Sequence, residues 1–348
     1  MTDHNAAGEF DLIGLAACHG LVRPEGVVCG IGDDCAVLST DADQVLLVTT
    51  DTMVEDIHFL GDAPLADVGY KLLAVSLSDI AAMGGEPRDA VVSIALKGDG
   101  SQRVAVVNDL YEGLYACCEA YGTNIVGGDT VRTKGPLTLG LTLTGRAAAT
   151  SVCYRKGARP GDAIYVTGTL GDAAAGLGLL LNRSEGAVKQ SVPHLKKAHA
   201  DKLVSRHRRP VPRVALGQAL GASGAITAMI DLSDGIASDL QHICSRSGVS
   251  AVLEAARIPV SPQLTAYQEA GGDPAQELAL SGGEDYELLF TTAPDQAERI
   301  NELASDPEFP QITRVGRIES GPAKVTLVRS DGTNEALSST GFDHFRQS

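Results

Sequence analysis

The stretch DVGYKLLAVSLSDIAAMGGEP, residues 67–87, decides how the first half of this chain is read. Together with Leu65, the residues Val68, Leu72 and Val75 recur every three to four positions, the period of one helical face, so a helix is expected over residues 64–83. Pro64, following Asp62, suits its first turn, where a missing N–H costs nothing, and Gly84-Gly85 closes it. Outward from this helix, β-branched apolar runs predict strands at 45–50, 90–96, 137–147, 162–167, 226–230, 286–292 and 312–318. A second helix is expected from an N-cap at Ser101 to Tyr121, with Gly122 just past its end. Each half then reads strand, helix, strand, strand, helix, strand, which points to α+β or mixed-sheet units rather than a strict parallel series.

The 348 residues, 44% hydrophobic, suffice for two domains, and the turn-rich RKGARPG at 155–161 places the boundary near residue 150. The expected division is 1–150 and 151–348. Residues 182–212 read as a long surface connection or a helix with loops, and the basic cluster at 206–209 as a solvated face. A weak internal echo pairs Leu77-Ser78-Asp79 and Gly127-Gly128-Asp129 with Leu232-Ser233-Asp234 and Gly282-Gly283-Glu284-Asp285.

Net charge is −16, which argues against affinity for nucleic acid or anionic membrane, since a negative surface repels both. No basic segment precedes an apolar run at the start, and no stretch reaches the ~18 apolar residues of a membrane span, so a cytoplasmic location is expected. The seven cysteines show no C-x-x-C spacing and lie mostly in apolar segments, as reduced core thiols do.

Six acidic clusters share a pattern of carboxylates flanked by Gly, Ser or Thr at the ends of apolar segments. They contain Asp33-Asp34, Asp51, Asp79, Asp129, Asp231 with Asp234, and Glu284-Asp285. Singly, each is an ordinary turn former or helix cap. Collectively they offer hard oxygen ligands beside small residues that admit an ion or a phosphate, which is the chemistry of Mg²⁺. There is no GxxxxGK[ST] loop, no protein-kinase Gly-rich loop with H-R-D and D-F-G, and no G-x-S-x-G elbow, so those three mechanisms are excluded.

The ordered set GEFDLI (8–13), GIGDDCAVL (30–38), TTDTMVEDIHF (49–59), DVGYKLLAVSLSDIAAMGGEP (67–87), GGDT (127–130), RKGARPGDAIYVTGTLGDAAAGL (155–177), DLSDG (231–235), SGGEDYELLF (281–290) and GFDHF (341–345) resembles the thiamine-monophosphate kinases. Their wider superfamily includes aminoimidazole ribonucleotide synthetase, selenophosphate synthetase and a hydrogenase-maturation dehydratase. The resemblance implies a two-domain aminoimidazole ribonucleotide synthetase-like fold: an N-terminal, ferredoxin-like-type α+β sheet domain that binds ATP and Mg²⁺ and dimerises, and a C-terminal α/β domain that completes the active site. It implies transfer of the ATP γ-phosphate to thiamine monophosphate, giving the diphosphate, with several Mg²⁺ ions and a homodimer.

Carried over by motif, Asp34, Thr49, Thr50, Asp51, Asp79, Asp129, Asp231 and Asp234 resemble the metal ligands, and Gly128, Asp129, Arg155 and Ser233 the ATP contacts. Asp51, Asp79, Asp129 and Arg155 are the expected catalytic set; His58, Glu284 and the position of Ser339 are the expected substrate contacts. Ser339 departs from the family, which often has an aromatic there for stacking on the thiamine rings. The alternatives are another ATP-dependent member of the superfamily or a catalytically silent Mg²⁺-nucleotide binder. The final residues GFDHFRQS hold no Cys of the kind the maturation dehydratase requires.

Overall fold

The structure, a computed structural model, describes residues 21–41, 43–184 and 194–337, together with Ile13 and Val192. Ser339, the GFDHF motif, Cys18 and most of GEFDLI lie outside the described residues. The first half is built on strands β1 (Val27–Cys29), β2 (Ala36–Ser39), β3 (Gln44–Val54), β4 (Glu86–Leu96), β5 (Asn124–Arg132) and β6 (Thr138–Ala148). They form one sheet in the order β1-β2-β3-β6-β4-β5, antiparallel except for the β4–β5 pair.

Helix α1 (Leu65–Ala82) lies on the sheet against β3 and β6, and α2 (Gly100–Tyr121) packs beside it. The two helices touch at glycines: a Cβ on Gly69 would stand 2.0 Å from Leu110 O, and one on Gly113 1.7 Å from Ala66 O. Any larger residue would push the helices apart. Alternation then sorts the sheet faces, as period-2 side-chain direction requires. Val45, Leu47, Leu139, Leu141, Leu143 and Val92 are buried in the core shared with the helices, while Thr50, Thr52, Val91 and Ser93 are exposed.

The second half carries β7 (Ala163–Thr167), β8 (Ile226–Asp231), β9 (Ser250–Glu254), β10 (Leu288–Thr292), β11 (Ile312–Glu319), β12 (Lys324–Val328) and β13 (Asn334–Ala336). Their order is β13-β12-β9-β11-β7-β10-β8. Around them run α3 (Asp172–Ser184), α4 (Lys197–Arg208), α5 (Val214–Ser223), α6 (Ile236–Ser247), α7 (Pro262–Glu269), α8 (Ala275–Ser281) and α9 (Ala297–Ala304). β7 and β10 are buried at every residue, as strands covered on both faces must be. Tyr165, Leu288 and Phe290 join the core of α1 and α5, with the Tyr165 and Phe290 rings stacked at 5.4 Å; Ile164, Val166 and Leu289 join a second core under α6. The first core therefore crosses the expected boundary near residue 150 without a break.

Several sequence expectations change. α2 is capped by Asp99, not Ser101: the Asp99 side chain accepts from Gln102 N–H and the Gln102 side chain returns the bond, a reciprocal box that a lone Ser101 hydroxyl cannot match. In the first half the order around the helices is strand, helix, strand, helix, strand, strand. Asp79 lies within α1 and Asp129 within β5, whereas Asp234 and Asp285 lie in loops, so the echo between halves occupies different elements. The six described cysteines are free thiols. Among the described residues no helix is long and apolar enough to cross a membrane.

Candidate active site

Asp34, Asp79 and Asp231 each direct a carboxylate oxygen into one region, the three atoms lying within 4.8 Å of one another. They come from the loop between β1 and β2, from α1 and from the end of β8, so both halves of the chain build the cluster. Two unit charges at that distance repel by roughly 3 kcal/mol at an effective dielectric of about 20. Burial first, and then this repulsion, shows in the acidity of Asp79 and Asp231. Burial, Asp51, Asp231 and Asp34 push the Asp79 carboxyl well above its ordinary range. Burial and Asp34 push Asp231 up to about 7. Asp33 is raised to about 6 by burial and by Asp34.

Hydroxyls hold Asp79 and Asp51 in place without neutralising them. Thr49 Oγ1 donates to Asp79 Oδ2, and Ser76 Oγ donates to Asp51 Oδ2 at 2.5 Å. Asp51 is not at a strand end as the sequence suggested: β3 continues to Val54, and α1 brings Ser76 alongside. Arg155 is the cation of the site. Its guanidinium donates to Asp34 Oδ1 at 2.5 and 3.2 Å, and its main-chain N–H to the Asp33 carboxylate at 3.2 Å. The other Asp34 oxygen, Oδ2, is buried with no hydrogen-bond partner. An orphaned carboxylate oxygen on Asp34, with two more carboxylate oxygens within 4.8 Å, fits a divalent cation with oxygen preference.

Not every expected residue joins this group. Thr50 alternates away from Thr49 and Asp51: its hydroxyl donates to Leu141 O at 3.1 Å and accepts from Thr142. Asp129 is exposed on edge strand β5. Its register runs through Ser93 and Gly140 to Thr52, three strand spacings or roughly 14 Å from β3. Gly128 precedes it at φ 157°, and a Cβ there would meet Val92 O at 2.0 Å. Ser233 and Asp234 form the loop before α6, where Asp234 N–H donates to the buried Asp239 at 3.2 Å.

Glu284 lies apart from the cluster. Its carboxylate accepts from Lys71 Nζ of α1 at 2.5 Å and lies 2.8 Å from His207 Nδ1 of α4. His58 accepts from Val54 N–H through Nδ1 at 3.1 Å and lines a pocket with Phe59, Val68, Lys71 and His207. Sequence reasoning missed Lys71 and His207. Lys71 had a signal, a charge beside Leu72 on the apolar stripe of a buried helix face; His207 had none beyond its basic neighbours.

Those neighbours correct the solvated-face reading of 206–209. Arg206 and Arg213 both bind Glu287, which is fully buried, at 2.8 and 2.5 Å. Arg209 binds Asp67 of α1 at 2.6 Å and stacks over Tyr70. The cluster ties α4 to α1 through the half-buried Asp67 and to the segment at 284–287 through the half-buried Glu284 and the buried Glu287.

Two family models match the chain: AIR synthase related protein, N-terminal domain, over residues 32–147, and AIR synthase related protein, C-terminal domain, over residues 159–328. Thiamine-monophosphate kinase of Salmonella typhimurium is 40% identical over 98% of this chain and 99% of its own length. That of Bacillus subtilis is 34% identical over 97% and 99%. Among solved structures, AaThiL complexed with AMPPCP and TMP aligns at a TM-score of 0.81 and 33% identity, covering 97% of each chain. With that identity sustained end to end across both sheets, the chain belongs to the thiamine-monophosphate kinase family.

Proposed function

We propose that this chain transfers the γ-phosphate of ATP to thiamine monophosphate, giving thiamine diphosphate and ADP by direct in-line attack. The observation that carries the reading is the cluster of Asp34, Asp79 and Asp231, three acids beside one cation, Arg155, with an orphaned oxygen on Asp34, between the two halves. Asp34, Thr49, Thr50, Asp51, Asp79, Asp129, Asp231 and Asp234 are the residues assigned to Mg²⁺, Thr50 by motif alone since its hydroxyl is engaged elsewhere. Bound there, Mg²⁺ supplies charge neutralisation to phosphate oxygens.

The chain's own residues do the rest. Donor and acceptor are both anions, so their repulsion is the main barrier, and Arg155 is held in place by Asp34 and Asp33 to meet it. The attacking phosphate oxygen is already ionised near neutral pH, so no general base is needed. Gly128, Asp129, Arg155 and Ser233 are assigned to ATP. His58 and Glu284 are assigned to the acceptor, along with the position of Ser339.

Residues 1–150 are read as the ATP, Mg²⁺ and dimerisation unit, and 151–348 as the unit that completes the site. A homodimer is supported by edge strand β5, whose exposed Val126 and Val131 a second copy would cover. Free thiols throughout the described residues support a cytoplasmic location. The test is one assay with thiamine monophosphate, thiamine and an aminoimidazole ribonucleotide precursor side by side, each with ATP and Mg²⁺. Diphosphate and ADP from the first alone is the expected result; no diphosphate, or turnover of either other substrate in its place, refutes the reading.

A further inference from the structure

Glu284 is held in a strained conformation. Its φ is 69°, in the left-handed region that non-glycine residues seldom adopt, and Tyr286 is at 50°. Two hydrogen bonds impose this: Glu284 N–H donates to Ser233 O at 2.7 Å, and Tyr286 N–H donates to Leu232 O at 2.8 Å. Such strain persists where the surroundings over-determine it, often at a ligand clamp. Here the surroundings are Lys71, 4% exposed, and His207, 6% exposed, one from each half of the chain. Both line the apolar pocket that also holds His58, Phe59, Leu60 and Val68.

We propose that Lys71 and His207, which line this pocket and bind the Glu284 carboxylate beside it, are positioning residues that keep that carboxylate ionised and in one orientation, and so set affinity for the acceptor through Glu284. The inference rests on the assignment of Glu284 to the acceptor. The Glu284 side chain is 28% exposed; partial burial without a partner favours its protonated form, which neither attracts a cationic ring nor serves as a charged acceptor for a ring amine. The charged and titratable groups around it are Lys71 and Asp67 on α1, His207 and Arg208 on α4, His58 after β3, and Tyr286 on its own segment. Burial pushes Glu284 up, but Lys71 and His207 outweigh it and hold the group at about 2.

The experiment compares Lys71→Met, Glu284→Gln and the double variant, all checked for folding by circular dichroism. Each single change is expected to raise KM for thiamine monophosphate about tenfold or more, leaving kcat and KM for ATP within about threefold. The double variant should be no worse than Glu284→Gln, since both act through one carboxylate. His207→Gln, which keeps a donor, should restore most of what His207→Ala loses. A fall in kcat at unchanged KM, or additive losses in the double variant, overturns the proposal and leaves the pair a mere tie between α1 and the loop after α8. A second readout needs no substrate: the ¹³C carboxyl signal of Glu284, assigned by its loss in Glu284→Gln, should stay ionised to below pH 4 in the wild type and titrate higher in Lys71→Met. Identical titration overturns the proposal, whereas wild-type protein that makes no diphosphate while the titrations differ overturns the assigned activity and the KM claim only.

Discussion

Two groups of acid meet α1, one through Asp79 and one through Lys71, and they are built on opposite terms. Asp34, Asp79 and Asp231 lie within 4.8 Å of one another with Arg155 as their cation, bound to one oxygen of Asp34. Glu284 has Lys71 and His207 on its two oxygens, and Glu287 has Arg206 and Arg213. The first group is incomplete by charge and the second is complete. Unbalanced acid is expensive in a folded core, so it marks where a cation enters; balanced acid marks where a fixed charge is presented or where two elements are tied.

The contrast breaks most sharply at Asp79. Asp79→Asn should lower kcat by about 10³-fold or more while raising the melting temperature of metal-free protein, because one repelling carboxylate is gone. Activity lost without that thermal gain would mean that the cluster is not frustrated. Next in size is Arg155→Met, which strands a side chain of Asp34 that is fully buried. Breaking a buried pair costs about 3–5 kcal/mol, and Mg²⁺ should return part of it, as denaturant melts with and without chelator will measure.

A smaller effect is the dependence on pH with metal chelated. Asp231 is raised in the folded state to about 7 from 3.8, so its penalty is absent below pH 3.8 and complete above 7. Melting temperature should fall over that window by several degrees, and saturating Mg²⁺ should flatten the fall. Glu284 runs the other way: lowered to about 2 from 4.5, it stabilises above pH 4.5 and loses that contribution as pH drops toward 2. The smallest effect belongs to Arg317→Ala, which opens an exposed pair with Glu319 and should cost less than about 0.5 kcal/mol at either salt extreme. A larger loss there would mean that burial is not what separates the groups.

Much of this was legible in the chain, for identifiable reasons. The α1 stripe of Val68, Leu72 and Val75 and the stop at Gly84 are local, so spacing alone gave both helix and end. The acids at 34, 79 and 231 were each visible beside small residues, but their convergence depends on packing between the sheets, which no local pattern encodes. The clasp at 206–209 was hidden for the same reason: Arg206 and His207 look solvated until Glu287 and Glu284, some 80 residues later, come beneath them. Asp99 beat Ser101 as a cap because Gln102 completes a reciprocal box, a signal present in the sequence and overlooked. Asp129 shows the opposite limit, since its motif names a role that one chain's geometry leaves roughly 14 Å from β3.

The most direct test of the cation claim is a Mn²⁺ titration of metal-stripped protein, followed by electron paramagnetic resonance, in the wild type, in Asp79→Asn and in Glu284→Gln. The wild type and Glu284→Gln should bind alike, and Asp79→Asn should lose at least tenfold in affinity at one or more sites. Equal binding by wild type and Asp79→Asn, or a loss confined to Glu284→Gln, would contradict the account.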